Sequence, residues 1–240
     1  MKLGNIILVF FILIGTVFLS GLGVWQLNRL EWKNAMIARV ENNLRQPPVP
    51  IERIEEMQSS ELDIEYAPTF VSGEFDHTKE QHYFATHKGR SGYFVYTPLK
   101  RSSGQIVFVN RGFVPLDKKN ADSRAEGLIS GPVKISGLAR SAPANKPNSF
   151  VPNNDLAKNI YYWKSISQMF GQAYDKMEIQ PTMFFIDADD KPVPGGWPIG
   201  GVTRIEFPNS HLQYALTWFG LAGALLVVGG YFLLGRISGR

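Results

Sequence analysis

Two long runs of apolar residues lie at the two ends of the chain and predict two membrane-spanning helices. No charged side chain occurs from Leu3 to Asn28, and the second run extends from about Leu212 to Leu234, before Arg236. At about 1.5 Å per residue, each run is long enough to cross a hydrocarbon core roughly 30 Å thick. A helix also satisfies its own backbone hydrogen bonds in lipid. We therefore expect a membrane protein anchored by a helix at each end.

The first run also has features of a cleavable signal peptide. Lys2 is a short basic start, Ile6 to Leu19 is an apolar core, and Ser20-Gly21 is a small-residue site. However, the apolar run continues past the usual length of a signal core, and Trp25 then lies where an interfacial anchor belongs. We expect this segment to be retained as an anchor.

The segment after the first span divides into a helix, a linker and a β-rich domain. Leu27 to Leu44 contains neither Gly nor Pro and mixes apolar with charged residues, which predicts a helix leaving the membrane. The run Gln46-Pro47-Pro48-Val49-Pro50 ends this helix, because proline removes a backbone donor and disfavours helix in the preceding residue. The predicted divisions are 1–28 for the first span, 29–50 for the juxtamembrane helix and linker, 51–208 for the β-rich domain, 209–235 for the second span and 236–240 for a tail.

From Tyr66 onwards, short β-branched and aromatic runs separated by turns predict a mainly antiparallel β domain, barrel-like or sandwich-like. Ile106 to Val109 is apolar on both faces and should form a central strand. Ile51 to Met57 and Ser165 to Tyr174 should be short helices, the second capped by Ser165. The predicted strands are Tyr66 to Phe75, Gln81 to His87, Gly92 to Leu99, Gln105 to Arg111, Val133 to Arg140, Thr182 to Asp187 and Gly201 to Phe207.

Composition narrows the classes of function. The chain has 25 Lys and Arg against 21 Asp and Glu, and three of the basic residues, Lys2, Arg236 and Arg240, lie beyond the two spans. The near-neutral remainder argues against a nucleic-acid partner, which would need a clustered basic face. Cysteine is absent, which excludes a thiol redox pair, a Cys-based copper or zinc carrier and thioether attachment of haem.

The same three basic residues predict the orientation of the spans. They place both termini in the cytoplasm and the middle of the chain outside. Arg29, Lys33 and Arg39 lie on the far side of the first span, but a long intervening domain is translocated largely regardless of such charges. No Arg-rich and Ser-rich transit segment precedes Ile6, so we expect a multi-pass protein of the bacterial plasma membrane with a periplasmic domain.

The central domain carries no recognisable set of catalytic residues. There is no nucleophile elbow, phosphate loop or dinucleotide fingerprint, and we do not expect an enzyme. His77, His82 and His87 suggest a metal site, but residues five apart on a strand face opposite sides, and no Cys or acidic ligand completes a set. We interpret them as exposed or core-edge histidines, while carboxylates from elsewhere could still converge on them.

The strongest combination of polar and aromatic residues lies at the outer membrane boundary. Trp25 and Gln26 come from the first span, and His211, Tyr214 and Trp218 follow on the second at i, i+3 and i+7, along one helical face. An aromatic belt explains Trp and Tyr at such a boundary without any ligand. It does not explain His211 or Gln26, because a titratable ring at the mouth of a span costs solvation energy unless it has a partner.

A haem group fits this boundary physically. Its macrocycle would lie in the acyl region with its carboxylates near water, and a neutral imidazole such as that of His211 is a common axial ligand to its iron. Tyr214 or Gln26 could orient the ring or bond to a substituent. Gly220 and Ala224, four residues apart, could let the two spans approach closely, or they could simply pack helices.

Several motifs occur in a fixed order relative to the two spans. They are Gly23-Val24-Trp25-Gln26-Leu27-Asn28-Arg29 with Trp32-Lys33, Gly92-Tyr93, Thr97-Pro98-Leu99, Val109-Asn110-Arg111-Gly112-Phe113-Val114-Pro115, the turn and strand Gly131 to Gly137, and Asn209-Ser210-His211-Leu212-Gln213-Tyr214-Ala215 with Thr217-Trp218-Phe219. In this combination the chain resembles, over nearly its whole length, the surfeit locus protein family of cytochrome c oxidase assembly factors. Members of that family have two membrane spans around an exported domain.

The resemblance implies a role in maturing the haem-copper terminal oxidase, by receiving or holding haem a before it enters the catalytic subunit. The second-span histidine is the family's proposed haem ligand, and it maps onto His211, with Trp25 and Gln26 as its neighbours. The implied partners are the catalytic subunit of cytochrome c oxidase, haem A synthase and membrane lipid. The alternative is a structural scaffold that steadies oxidase subunits through the exported domain and binds no haem.

Two polar motifs of the central domain each have two interpretations. Arg111, in Asn110-Arg111-Gly112, could hold a haem propionate or an oxidase surface. We favour a structural role, in which a strand ends and turns through the glycine while Arg111 bonds to nearby carbonyls. Asp187, Asp189 and Asp190 could bind a cation, but their flanking prolines favour carboxylates that cap and solvate a turn.

Overall fold

The computed structural model describes residues 3–174 and 181–237, which divide into two compact units. The first unit contains two long helices and consists of the residues up to Glu41 and from Ile205 onwards. The second unit, Asn42–Arg204, contains the strands and two short helices. The sequence predicts two apolar terminal helices that flank a strand-rich domain, and this architecture is confirmed.

The helices of the first unit are α1, Leu3–Leu44, and α4, His211–Ile237. Both are long and apolar enough to cross a membrane. The predicted span and juxtamembrane helix form one element, because α1 runs without a break through residue 28 for a total of 42 residues. It ends at Leu44, just before Pro47, as the proline-rich run predicts.

The two helices pack along a seam of small and polar residues. The buried seam positions are Asn5, Gly23 and Gln26 on α1 and Ala215, Ala222 and Gly229 on α4. The α4 positions recur every seven residues, which is the period of a helix pair with coiled-coil packing. Without a hydrophobic driving force in lipid, such pairs depend on close packing. Gly23 provides it here, since a Cβ at this position would lie 2.7 Å from the ring of Phe219.

The prediction that Gly220 and Ala224 form this close contact is wrong. A Cβ on Gly220 would meet nothing within 4 Å, and Ala224 is exposed. The seam passes instead through Ala222, which is 4% exposed, and Gly229, where a Cβ would lie 2.5 Å from Ile12. The buried small residues of α4 are seven residues apart, at 215, 222 and 229, and not four apart as Gly220 and Ala224 are.

Among residues 42–174 and 181–204, seven strands form one sheet. They are β1 Val49–Pro50, β2 Pro68–Phe75, β3 Gln81–His87, β4 Arg90–Lys100, β5 Ile106–Pro115, β6 Pro132–Ser141 and β7 Pro181–Ala188. Their order is β1-β2-β6-β7-β5-β4-β3, and β2 also pairs with β4 through Glu74 with Lys100 and Phe75 with Leu99. This extra pairing closes β2, β6, β7, β5 and β4 into a five-stranded barrel, which confirms the barrel form of the prediction.

The sheet is mainly antiparallel, as predicted, and among the described strands the pairs β1–β2 and β5–β7 are parallel. The predicted seventh strand, Gly201 to Phe207, is wrong, because this segment has no regular secondary structure. Gly201 adopts a φ of 65° and donates its amide to the carbonyl of Ala188, and Pro208 further on has no amide to donate.

The core of the barrel is organised around β5, which is buried along its whole length. Val107 and Val109 point into the barrel, where α2, Ile51–Ser59, covers them with Ile51 and Ile54. Phe108 points outward and packs against α3, Ile166–Ala173. The prediction of a central strand at 106–109 is therefore confirmed. So is the cap of α3, where Ser165 Oγ accepts a hydrogen bond from the amide of Gln168 at 3.3 Å.

Candidate functional site

Gln26 and His211 meet across the seam between α1 and α4. Gln26 Oε1 lies 2.7 Å from His211 Nδ1, and Gln26 is only 9% exposed. A carbonyl oxygen can only accept, so the imidazole donates through Nδ1–H. The bond therefore selects one neutral tautomer, which has its proton on Nδ1 and a lone pair on Nε2.

The lone pair on Nε2 is the chemically useful feature of this pair. Among residues 3–174 and 181–237, no hydrogen-bond partner faces His211 Nε2. A neutral imidazole whose other nitrogen is held by an acceptor is the usual arrangement of a metal-ligating histidine. His211 can thus donate Nε2 to a metal ion while Gln26 fixes the plane of its ring.

The start of α4 positions His211. Asn209 precedes the helix, and its Oδ1 accepts from the amide of His211 at 3.3 Å, which satisfies one of the first backbone donors of α4. The Nδ2 group of Asn209 donates to Oδ1 of Asn34 on α1 at 2.8 Å, and Lys33 lies 5.3 Å from the ring centroid of Phe207. These contacts fix the entry of α4 against α1. These contacts were not predicted from the sequence, although Asn-Ser directly before an apolar run is a start signal for a helix.

The five residues predicted for the boundary separate into two groups. Gln26, His211 and Trp218 lie on the seam, where Trp218 is half-buried. Tyr214 is 54% exposed and Trp25 is 56% exposed, so both lie outside the seam. A step of three residues along a helix turns the side-chain direction by about 300°, which is about 60° short of a full turn. A step of seven residues ends only about 20° short of two full turns. Trp218 therefore follows His211 along the seam, and Tyr214 lies on its flank.

A buried charge cluster occupies the second unit around Glu80. Arg124 pairs with Glu80 Oε2, and Arg111 Nη1 lies 3.5 Å from Oε1. His77 Nδ1 lies 3.4 Å from Oε1, and Thr97 donates to the same oxygen at 3.3 Å. Burial opposes ionisation of Glu80, but its hydrogen bonds with His77 and Arg124 and the charges of Arg124 and Arg111 outweigh it and lower its pKa to about 2.

Arg111 performs the structural role favoured for it. Its Nη2 donates to the carbonyl of Gly127, and its guanidinium carbon lies 5.0 Å from the ring centroid of Phe75. The expectation that the strand ends here is wrong, because β5 continues through Gly112 to Pro115. Gly112 has a φ of 122°, and a Cβ there would lie 1.8 Å from the carbonyl oxygen of Ile199, so the glycine permits a close strand crossing.

The acidic group at 187–190 is not a solvated turn throughout. Asp187 is 4% exposed and accepts hydrogen bonds from Asn110, Arg140 and Thr203, each at 2.9 Å. The turn interpretation is therefore wrong for Asp187, which is a buried partner of Arg140. Asp189 does lie in the turn and pairs with Lys191 at 3.2 Å.

The three neighbouring histidines occupy three different environments. His77 Nε2 donates to the carbonyl of Ile129 at 3.0 Å, and the His87 ring lies 5.2 Å from that of Phe113. His82 is buried beside Tyr93, and this burial lowers its pKa to about 4. In the part of the chain that the structure describes, no group of three or more His, Asp or Glu side chains is placed to hold a metal ion.

Comparison with known proteins gives one consistent family. The SURF1 family model matches residues 13–223. Surfeit locus protein 1 of Rattus norvegicus is 36% identical over 220 residues, that of Xenopus tropicalis 38% over 221, and that of Homo sapiens 36% over 222. Each match covers 85% of this chain, with 68% of the rat and frog proteins and 70% of the human protein. The family match includes both Gln26 and His211.

The Glu80 cluster gives the second unit a defined response to acid. The pKa of Glu80 is lowered in the fold from 4.5 to about 2, so its stabilising contribution is complete above about pH 4.5 and is lost as the pH falls towards 2. Glu80→Gln should lower the free energy of unfolding by about 3 kcal/mol at pH 7. Glu74→Gln, on the exposed side of β2, should change it by less than about 0.5 kcal/mol.

Urea unfolding followed by circular dichroism, repeated from pH 7 down to pH 2, measures both effects. The difference between wild type and Glu80→Gln should shrink across the lower half of that range. A difference that stays constant down to pH 2 would mean that Glu80 is not held ionised by its arginines.

Proposed function

Because this chain belongs to the SURF1 family, we propose that it holds haem a during assembly of cytochrome c oxidase, with His211 as its ligand to the iron. Family membership implies the coarser role, in the assembly of cytochrome c oxidase. The finer role rests on one observation: Gln26 holds Nδ1 of His211, and the lone pair of Nε2 remains available. The two terminal helices, rather than the barrel, are the haem-holding part of this proposal.

Each seam residue has a distinct task in this proposal. His211 supplies the nitrogen that the iron takes as an axial ligand. Gln26 keeps the proton on Nδ1, which fixes the ring plane and makes Nε2 a better donor. Asn209 and Asn34 hold the backbone from which His211 projects. Trp218 is one candidate for contact with the macrocycle, and the exposed rings of Trp25 and Tyr214 are the others.

A haem held in this way can be passed on. The chain has no cysteine, so it cannot form the thioether bonds that fix haem permanently. A single imidazole nitrogen is a ligand that competing ligands in another protein can replace. Temporary binding suits an assembly factor that acts without catalysing a reaction, and the expected recipient is the catalytic subunit of the oxidase. Haem A synthase is the expected donor, since it would supply the group being held.

The proposed location follows from the two apolar helices and the charges beyond them. Both helices cross the bacterial plasma membrane, and the N-terminal end of α1 and the C-terminal end of α4 lie in the cytoplasm. The barrel then lies on the periplasmic side, and membrane lipid covers the exposed apolar faces of α1 and α4. In this orientation Gln26 and His211 lie near the periplasmic surface, where the carboxylates of haem would reach water.

Haem content of purified variants tests the ligand assignment. The full chain would be produced in cells that make haem a, purified in mild detergent and examined by optical spectroscopy. His211→Ala should lose at least nine-tenths of the bound haem, because the only protein ligand proposed is removed. Gln26→Leu removes the acceptor at similar volume and should lower haem affinity by about tenfold to a hundredfold.

The chain offers matched controls on the same helices. Gln213→Ala and Asn28→Leu change exposed polar residues close to the two site residues and should leave haem content unchanged. Tyr214→Phe and Trp25→Phe show whether the exposed aromatic residues contribute. Equal haem in wild type and His211→Ala, or none in wild type, would contradict the proposal. Normal oxidase assembly with His211→Ala would favour the scaffold alternative, in which the barrel acts without haem.

Single cysteines test the proposed orientation without any background labelling, because the natural chain has none. Ser103→Cys lies in the exposed turn between β4 and β5, and Arg236→Cys lies near the end of α4. In intact bacteria whose outer membrane has been permeabilised, a membrane-impermeant maleimide should label Ser103→Cys. It should label Arg236→Cys only after the cells are broken. The reverse pattern, or equal labelling of both in intact cells, would overturn the orientation.

A further inference from the structure

A cleft of about 280 Å³ lies beside β6 in the second unit. Its volume is just below the range of drug-sized sites, which begins at about 300 Å³, so it suits a smaller molecule. Its walls are mainly apolar, and its one buried charged group is Arg111. The apolar wall residues are Phe75, Ile129, Val133, Ile135, Pro192 and Val193.

Arg111 has hydrogen-bond donors to spare. A guanidinium carries five N–H bonds. Within the described residues, Nη1 faces His77 and Glu80, and Nη2 donates to the carbonyl of Gly127. These contacts use at most three donors, because His77 Nδ1 cannot both accept from Arg111 and donate to Glu80, so Nε–H and one N–H of Nη2 remain. Arg111 as a whole is 4% exposed, but its Nε is not one of the described side-chain atoms that are both fully buried and without a partner, so this donor is open to a group that enters the cleft.

The charges around the cleft favour an anion. Glu80 is shared between two arginines, and its closer pair is with Arg124, so Arg111 is only partly neutralised. Lys134 adds one net positive charge to the lining, because Lys191 is the partner of a carboxylate there. The one carboxylate in the lining, Asp189, is already paired with Lys191 at 3.2 Å.

We propose that this cleft binds a small monocarboxylate with an apolar body, whose carboxylate pairs with the free donors of Arg111. A carboxylate matches two donors of one guanidinium. The apolar body packs against the aliphatic walls and Phe75. A ligand of about nine non-hydrogen atoms fills the volume, if each takes roughly the 30 Å³ that a water molecule occupies in the liquid. Benzoate has this size and charge, and benzamide has the same shape without the charge.

Ligand-observed saturation-transfer NMR on the full chain in lipid nanodiscs tests this site, with empty nanodiscs as the blank. Benzoate should bind at least tenfold more tightly than benzamide, because only the carboxylate forms a charged pair with Arg111. Arg111→Gln should weaken benzoate binding by about tenfold to a hundredfold. The double variant Lys134→Glu with Lys191→Glu changes only exposed side chains and should weaken it by about tenfold, which keeps the test valid if Arg111→Gln fails to fold.

Lys158→Glu is the matched control, because Lys158 is also exposed and pairs with an aspartate, Asp155, at 3.3 Å. Its benzoate affinity should equal that of wild type. Equal binding of benzoate and benzamide, absence of benzoate binding, or unchanged affinity in the double variant would each overturn the proposal. The double variant should keep wild-type haem content, so the outcome here is independent of the role of His211.

Discussion

An imidazole within an apolar helix pair needs a hydrogen-bond partner, and this requirement determines the arrangement of α1 and α4. Lipid offers no hydrogen bonds, so the polar nitrogen must find its partner within the protein. Gln26 is that partner at 2.7 Å. The bond forms only if the two helices approach closely at this level, and the small residues Gly23 and Ala215 near it permit that approach. The same bond leaves the lone pair of Nε2 free to ligate a metal ion, so one contact both orders the helix pair and creates its capacity to bind a ligand.

The central barrel meets the same physical requirement with charged groups. Glu80 and Asp187 are both buried, and each is held by arginine and by neutral donors. Buried ions are tolerated only when they are paired and hydrogen-bonded, so these clusters fix the positions of the strands that carry them. Arg111 is the exception, because it belongs to the Glu80 cluster yet keeps two donors free at the floor of a cleft. An incompletely satisfied group of this kind is a reason to expect a ligand rather than a purely structural role.

Much of this fold could be predicted from local sequence signals. The two helices followed from uncharged runs, six strands from β-branched and aromatic segments, and the central position of β5 from its apolar character on both faces. Gly201 to Phe207 could not be excluded as a strand, because its composition is strand-like and only the positive φ of Gly201 redirects it. The parallel pairing of β5 with β7 depends on closure of the barrel, which no local pattern specifies.

The candidate site was identified from the sequence, but not its geometry. The sequence places His211 and Gln26 at the same boundary, where each needs a partner, but it did not predict the hydrogen bond between them. The separation of Trp218 from Tyr214 depends on the rotation of α4 against α1, and single-helix spacing does not give that rotation. The ion pairs of Arg111 and Asp187 were harder still to predict, because their partners Glu80 and Arg140 are distant in the sequence and meet them only in the closed barrel.

The protonation state of His211 tests this account most directly. Nitrogen-15 NMR of the full chain with labelled histidine, in lipid and without haem, distinguishes the two ring nitrogens, and a His211→Asn sample assigns the signal. We expect a neutral ring with the proton on Nδ1 and an unprotonated Nε2, and we expect this preference to disappear in Gln26→Leu. A proton found on Nε2 in the wild-type protein, or a tautomer unchanged by Gln26→Leu, would contradict it.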